Sequence, residues 1–368
     1  MNGLSFVLPA ILVIAASAGM TNTAQGQANA PRRQVSTKSP DIQPDGKVTF
    51  RLRAPKAAAV SVNGQWTNGQ AKMTKDDQGN WSVTVGPIEA GVWEYSFDVD
   101  GVGMIDPGNT WIKPMREPRT SILHIPGNPP NLYDFRDVPH GTVRQHTYLS
   151  KALGRLRELT VYTPPNYDKQ GGKKFPTLYL QHGSGDNQAT WTTHGKAHWI
   201  LDNLIAEGKA KPMVVVMMDG HAAITGGDNT KLFEQDLMQD VMPFIEANYK
   251  VKTDSANRGI VGLSMGGGQS LTIGLNHMDK FAWVGGFSSS APDRAAVASA
   301  INDPKGTNKK LKLLWIGIGK DDFLMDRNKT FTALLKEQGI NFVWHLSEGG
   351  HSWPNWRNYL GEFLPRLF

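Results

Sequence analysis

The 368-residue sequence has no cysteine, which excludes disulfides, thiolate metal sites and cysteine nucleophiles together. Any covalent chemistry must use oxygen or nitrogen. A membrane-spanning run is missing as well. The apolar stretch from Leu4 to Ala15 is too short to cross a bilayer, and the small residues Ala16-Ser17-Ala18 behind it complete a signal-peptide pattern. No Lys or Arg precedes Arg32, so the positive end of that signal rests on the amino terminus alone. Strong charge bias is lacking too. The net charge is +6, the basic residues are scattered, and the densest cluster (Lys309, Lys310, Lys312) is short. That describes a solvated face rather than a nucleic-acid patch. No internal repeat occurs. What remains is ordinary for a soluble globular chain, at 39% hydrophobic and 20% charged residues, and the length suits two domains.

Two rhythms divide the chain. Residues 1–30 are expected to be the signal peptide and a flexible start, after which no membrane contact is expected. Residues 31–126 are expected to form one domain, and from about Gly46 to Pro126 its pattern is period two. Val48, Phe50 and Leu52 alternate with polar residues, as do Val60 and Val62, then Trp81, Val83 and Val85, then Trp93, Tyr95, Phe97 and Val99. Alternation with turn signals at Asn63-Gly64, Asp77-Gln78-Gly79-Asn80 and Asp100-Gly101 predicts a small antiparallel β-sandwich. Residues 127–141, with Pro129-Pro130 and few apolar side chains, read as a linker. Residues 142–368 carry continuous apolar runs at 177–180, 213–218, 259–263, 281–285 and 313–318, separated by helix-like stretches at 199–207, 233–249 and 330–338. Strands apolar on both faces and alternating with helices predict a doubly wound, mainly parallel α/β domain.

The chemistry concentrates in that second domain. Gly262-Leu263-Ser264-Met265-Gly266 follows an apolar strand and precedes a helical stretch, the setting of a nucleophile elbow. Alone the pentapeptide is weak evidence, since a glycine-rich corner around an inert serine would look the same. Its context strengthens it. A serine hydroxyl needs a base to remove its proton and a carboxylate to orient that base. In elbow-bearing folds these follow in the order Ser, acid, His. Asp321-Asp322 comes after the 313–318 run, and His351 comes after the next strand, at 342–346. Only one of the two adjacent aspartates can face the imidazole, and the residues alone leave both open. Oxyanion donors are expected from the backbone N–H of Met265 and from that of Ser184, in the loop Gln181-His182-Gly183-Ser184-Gly185. His182, Trp191 and Trp353 are expected to line the substrate cleft, with His182 shaping its loop rather than moving a proton. His194 and His198 have a zinc-like spacing, but no glutamate lies between them and no third ligand is evident, so neither a metal nor a cofactor is expected. His221 reads as a loop histidine. Trp66, Trp81, Trp93 and Trp111 could form a sugar-stacking platform, although Trp81 and Trp93 are in phase with buried positions.

From Val138-Pro139-His140-Gly141 to the end, the sequence resembles carbohydrate esterase family 1, the feruloyl and acetyl-xylan esterases. The likeness is carried by Val161-Tyr162-Thr163-Pro164-Pro165, Gln181-His182-Gly183, Asp202-Asn203-Leu204-Ile205-Ala206-Glu207-Gly208, Gly262-Leu263-Ser264-Met265-Gly266-Gly267-Gly268 and Gly350-His351-Ser352-Trp353 with Trp356. The resemblance implies an α/β-hydrolase fold, a serine esterase acting on plant cell-wall polysaccharide esters, and Asp322 as the acid, because it stands before Phe323-Leu324. Residues 46–126 resemble the immunoglobulin-like domain of the isoamylase N-terminal type, also classed as a family-48 carbohydrate-binding module, through Trp93-Glu94-Tyr95 and Asp106-Pro107-Gly108. The resemblance implies a fusion of this domain to the esterase, as in bacterial feruloyl esterases. Feruloyl esters are the expected substrates; an acetyl-xylan esterase or broad carboxylesterase, an enterochelin esterase, which pairs similar domains, and a non-catalytic sugar-binding protein are the alternative readings.

Overall fold

The continuous apolar runs form the middle of an eight-stranded sheet. In the computed structural model, which describes residues 38–224 and 226–368, the strands are β1 (Thr142–Ser150), β2 (Arg155–Thr163), β3 (Thr177–Gln181), β4 (Val214–Met218), β5 (Arg258–Leu263), β6 (Trp283–Phe287), β7 (Leu313–Gly319) and β8 (Val343–Ser347). Their spatial order is β1-β2-β4-β3-β5-β6-β7-β8. β1 and β2 are antiparallel to each other, β2 is antiparallel to β4, and all other pairs are parallel. Every residue of β3, β4 and β5 is buried, which is why those strands read as unbroken apolar runs. β1 lies at the sheet edge and is largely exposed; its sequence mixes Arg, Gln, His and Thr, and it carries no such run. The expected signal peptide lies outside the described residues.

Helices cover both faces. On one side α2 (Asn229–Asp236, continued through a π-helical turn at Leu237–Val241 into Met242–Asn248), α3 (Ser264–Asn276) and α4 (Met325–Glu337) place Phe233, Ile245, Leu271, Phe331 and Leu335 in one core. On the other side α1 (Ala197–Ala206) and α5 (Trp353–Phe363) place Ile200, Leu204, Tyr359 and Phe363 in a second. This is the doubly wound sheet of an α/β-hydrolase. The order reverses around β3, which has β4 on one flank and β5 on the other. A crevice opens at the carboxyl ends of strands where such a reversal occurs.

Residues 41–125 form two antiparallel sheets. One contains Asp41–Ile42, Val48–Arg53, Asn80–Val85 and Thr74–Lys75; the other contains Gln70–Lys72, Val60–Gly64, Gly91–Val99 and Val102–Met104, with Ser121–Ile125 also paired to Gly91–Val99. Phe50, Trp66, Trp81, Tyr95 and Phe97 are buried together between them. Trp66 stacks on Phe50 at 5.6 Å. Of the four tryptophans considered for a platform, two are thus core residues, and Trp111 alone is strongly exposed.

One strand departs from simple alternation. Val92 and Glu94 are buried as well as Tyr95 and Phe97, because the α/β region covers the strand's second face. Arg357 of α5, itself buried, donates to the Val92 carbonyl at 2.7 Å. The stretch read as a linker is also held down. Asp134 accepts from the N–H groups of Gly127 (2.8 Å) and Asn131 (2.6 Å). Asn203 of α1 donates to the carbonyls of Leu132 and Asp134. These bonds lay residues 127–141 along α1. No helix among the described residues is long and apolar enough to cross a membrane.

Candidate active site

Ser264 sits where β5 turns into α3, with φ at 53°. A side chain in this left-handed region costs roughly 1–2 kcal/mol, so the turn must be held by its surroundings. The glycines explain how. A Cβ on Gly262 would lie 2.5 Å from the Gly266 carbonyl oxygen, and one on Gly266 would lie 2.3 Å from the His182 carbonyl oxygen. The elbow is therefore pressed against itself and against the loop after β3. Gly266→Ala is expected to destabilise the fold by about 1–3 kcal/mol through overpacking. Thermal denaturation measures this, and an unshifted midpoint would contradict the close approach.

Asp322 follows β7 and His351 follows β8. The Asp322 oxygens lie 3.1 and 3.0 Å from His351 Nδ1, and the Leu324 N–H donates to Oδ1 at 2.9 Å. Burial pushes this carboxyl up, but the imidazole and the Leu324 N–H outweigh it and leave it below its usual range. An ionised carboxylate only accepts, so Nδ1 carries a proton, and the neutral imidazole then has its lone pair at Nε2. Asp321 is exposed. The Phe323 ring lies 4.4 Å and the Trp356 ring 4.9 Å from the imidazole.

Ser264, His351, Ser184 and Trp353 line one cavity of about 570 Å³. Among the described residues the Ser264 hydroxyl has no hydrogen-bond partner within 3.5 Å; such contacts are often long in empty sites and tighten when substrate binds. A Cβ on Gly183 would come within 3.3 Å of Ser264 Cβ, which places the Ser184 loop directly beside the hydroxyl. Met265 lies in the first turn of α3, where backbone N–H groups have no partner within the helix.

Two expected cleft residues belong elsewhere. Trp191 is 1% exposed and donates its indole N–H to the Gln181 carbonyl at 2.9 Å. It packs on Trp353 at 5.1 Å and supports the loop from the core, because a buried indole needs a partner for its N–H. His182 is equally buried and donates through Nδ1 to the Gly183 carbonyl at 2.7 Å, so it builds the loop rather than the cleft wall. His194 is buried and His198 half-buried, and burial pushes both imidazoles down, His198 to about 3. No group of three metal-binding side chains occurs among the described residues.

The sandwich contributes a cleft wall of which sequence reasoning had singled out Trp93 alone. Gln65, Trp93, Glu94, Lys113 and Met115 line the same cavity as Ser264. Lys113 Nζ lies 3.1 Å from Glu94 Oε1 and 3.2 Å from Asp186 Oδ1, in the loop after β3. Thr120 donates to the other Glu94 oxygen at 2.8 Å. Burial pushes the Asp186 carboxyl up, against the pull of Lys113. The one available signal was Glu94, a charge inside a strand of large apolar residues.

The family model Esterase matches residues 150–367. An endo-1,4-beta-xylanase/feruloyl esterase of Xylanibacter ruminicola is 34% identical over 351 residues, covering 92% of this chain and 47% of that protein. The chain thus spans about half the length of that relative. A solved ferulic acid esterase is similar at 28% identity and a TM-score of 0.55, over 61% of this chain and 97% of its own. The enterobactin esterase of Shigella flexneri shares the fold at 18% identity and a TM-score of 0.61, over 87% of this chain and 92% of its own.

Proposed function

The chain belongs to the Esterase family, and from that premise we propose that it is an exported feruloyl esterase, cleaving hydroxycinnamoyl esters of plant cell-wall xylan through an acyl-enzyme on Ser264. The observation that carries the reading is the bond between Asp322 and His351 Nδ1 at the rim of the cavity that Ser264 also lines. In the proposed reaction Ser264 Oγ attacks the ester carbonyl and its proton passes to His351 Nε2. The new oxyanion receives the N–H groups of Ser184 and Met265. The C–O bond to the sugar then breaks, and the departing alkoxide takes the proton from His351. A water molecule next attacks the acyl-enzyme, giving a proton to His351, which returns it to Ser264 as the acid leaves. Asp322 stabilises the imidazolium that forms in each half.

Xylan is the favoured carrier because the relative from Xylanibacter is named for both xylanase and feruloyl esterase. Export suits a substrate too large to enter a cell, and Leu4–Ala18 supplies the signal pattern. One assay with methyl ferulate, acetylated xylan and a catecholate tri-ester separates the readings. The expected kcat/KM is highest on methyl ferulate, by about tenfold or more, the order that one well-filled pocket contributes. A higher value on either other substrate would overturn the feruloyl assignment.

A further inference from the structure

The loops after β3 and β4 are fastened to each other by two histidines used in the same way. His182 Nε2 accepts the N–H of Gly220, in the β4 loop, at 2.8 Å. His221 Nε2, in the β4 loop, accepts the N–H of Gly185, in the β3 loop, at 3.1 Å. A backbone N–H only donates, so each imidazole must present a lone pair at Nε2. The two rings lie 5.5 Å apart. The β4 loop is anchored in turn. The Gly220 carbonyl accepts from Gln269 of α3 and from Asn229, both at 2.9 Å. Asn229 also accepts from the N–H groups of Ala222 and Ala223, and the His221 carbonyl receives Arg157 at 2.7 Å.

We propose that His221 is a positioning residue, whose acceptance of the Gly185 N–H holds the preceding peptide so that the Ser184 N–H faces the oxyanion. This rests on the reading of Ser184 as an oxyanion donor. His182 sits at the base of its loop and fixes its entry; His221 grips the far side of Ser184, where Gly185 adopts φ of 84°. Without that grip, a tip residue exposed to solvent has one restraint fewer on its donor. The acceptor state is the one favoured. Burial, then the neighbouring His182, with Arg116 and Arg157, holds the imidazole down at about 4, while Asp219 opposes them. Protonation would turn Nε2 into a donor facing the Gly185 donor.

The test uses the full chain with p-nitrophenyl acetate, which needs the oxyanion donors but no hydroxycinnamoyl recognition. Losing an oxyanion donor outright costs about 10²–10³ in turnover, so loosening one in His221→Ala should lower kcat by about 10–100-fold, with KM within about threefold. His221→Gln, which offers a carbonyl oxygen near the position of Nε2, should recover most of that loss. Amide exchange of peptides covering 183–186 should quicken in the alanine variant, with α3 unchanged. Wild-type kcat in a folded His221→Ala protein would overturn the proposal. So would a folded glutamine variant as slow as the alanine variant. Should the alanine variant not fold, a folded glutamine variant within about threefold of wild-type kcat supports the role, and one slowed beyond tenfold removes it. If the chain hydrolyses p-nitrophenyl acetate but not methyl ferulate, only the substrate assignment fails.

Discussion

Ser264→Ala is expected to reduce kcat on methyl ferulate by about 10⁴–10⁶-fold while leaving the fold in place. The argument has two sides. On the chemical side, no other hydroxyl is offered as the acyl acceptor, so only the oxyanion donors and substrate binding remain, which leaves a residual rate above water. On the structural side, the hydroxyl has no hydrogen-bond partner among the described residues, and alanine keeps the Cβ that already tolerates φ of 53°. The thermal midpoint should therefore move little. Turnover measured beside a melting curve checks both sides. A folded variant retaining a few per cent of wild-type kcat would remove Ser264 from its role.

The second large effect distinguishes two adjacent carboxylates. Asp322→Asn is expected to lower kcat by about 10⁴-fold, the size seen when a buried acid that orients a catalytic imidazole becomes an amide. The carboxylate accepts from Nδ1 with both oxygens. An amide that turned its NH2 toward the ring would favour the tautomer with the proton on Nε2, where it cannot accept from serine. Asp321→Asn should leave kcat within about twofold, because that side chain is exposed and substitutions at such positions usually have small effects. Steady-state kinetics of the two variants decide the matter; the reverse pattern would transfer the role to Asp321.

How much of this could be read beforehand depended on whether the signal was local. β3, β4 and β5 are buried on both faces and announce themselves as apolar runs. β1 and β2 mix exposed polar and charged residues with apolar ones, and no run marked them. The strand expected at 281–285 instead spans Trp283–Phe287, because Phe281 and Ala282 are buried ahead of it and the run carried no boundary. α4 begins five residues before the expected stretch, since its first turn, Met325-Asp326-Arg327-Asn328, is mostly polar.

The candidate site divides along the same line. The elbow and the loops after β7 and β8 are short segments whose spacing and glycines carry geometric meaning. Asp322, however, differs from Asp321 in the sequence only by family likeness, not by its own surroundings. Trp191 and His182 were misplaced because nearness in sequence to a functional loop does not say which way a side chain points. Lys113 gives no hint of a cleft, and Glu94 only that of a charge inside an apolar strand, since their meaning arises when the sandwich covers the carboxyl ends of the sheet.

That shared ammonium couples the two regions in energy as well as in space. Lys113 belongs to the first region and balances one carboxylate from each, Glu94 and Asp186. Removing it would strand two buried acids beside one another, and a buried charge left without its partner costs about 3–5 kcal/mol. A chimera that replaced either region with a foreign counterpart would therefore need a new cation at this point, or one acid fewer, to stay as stable.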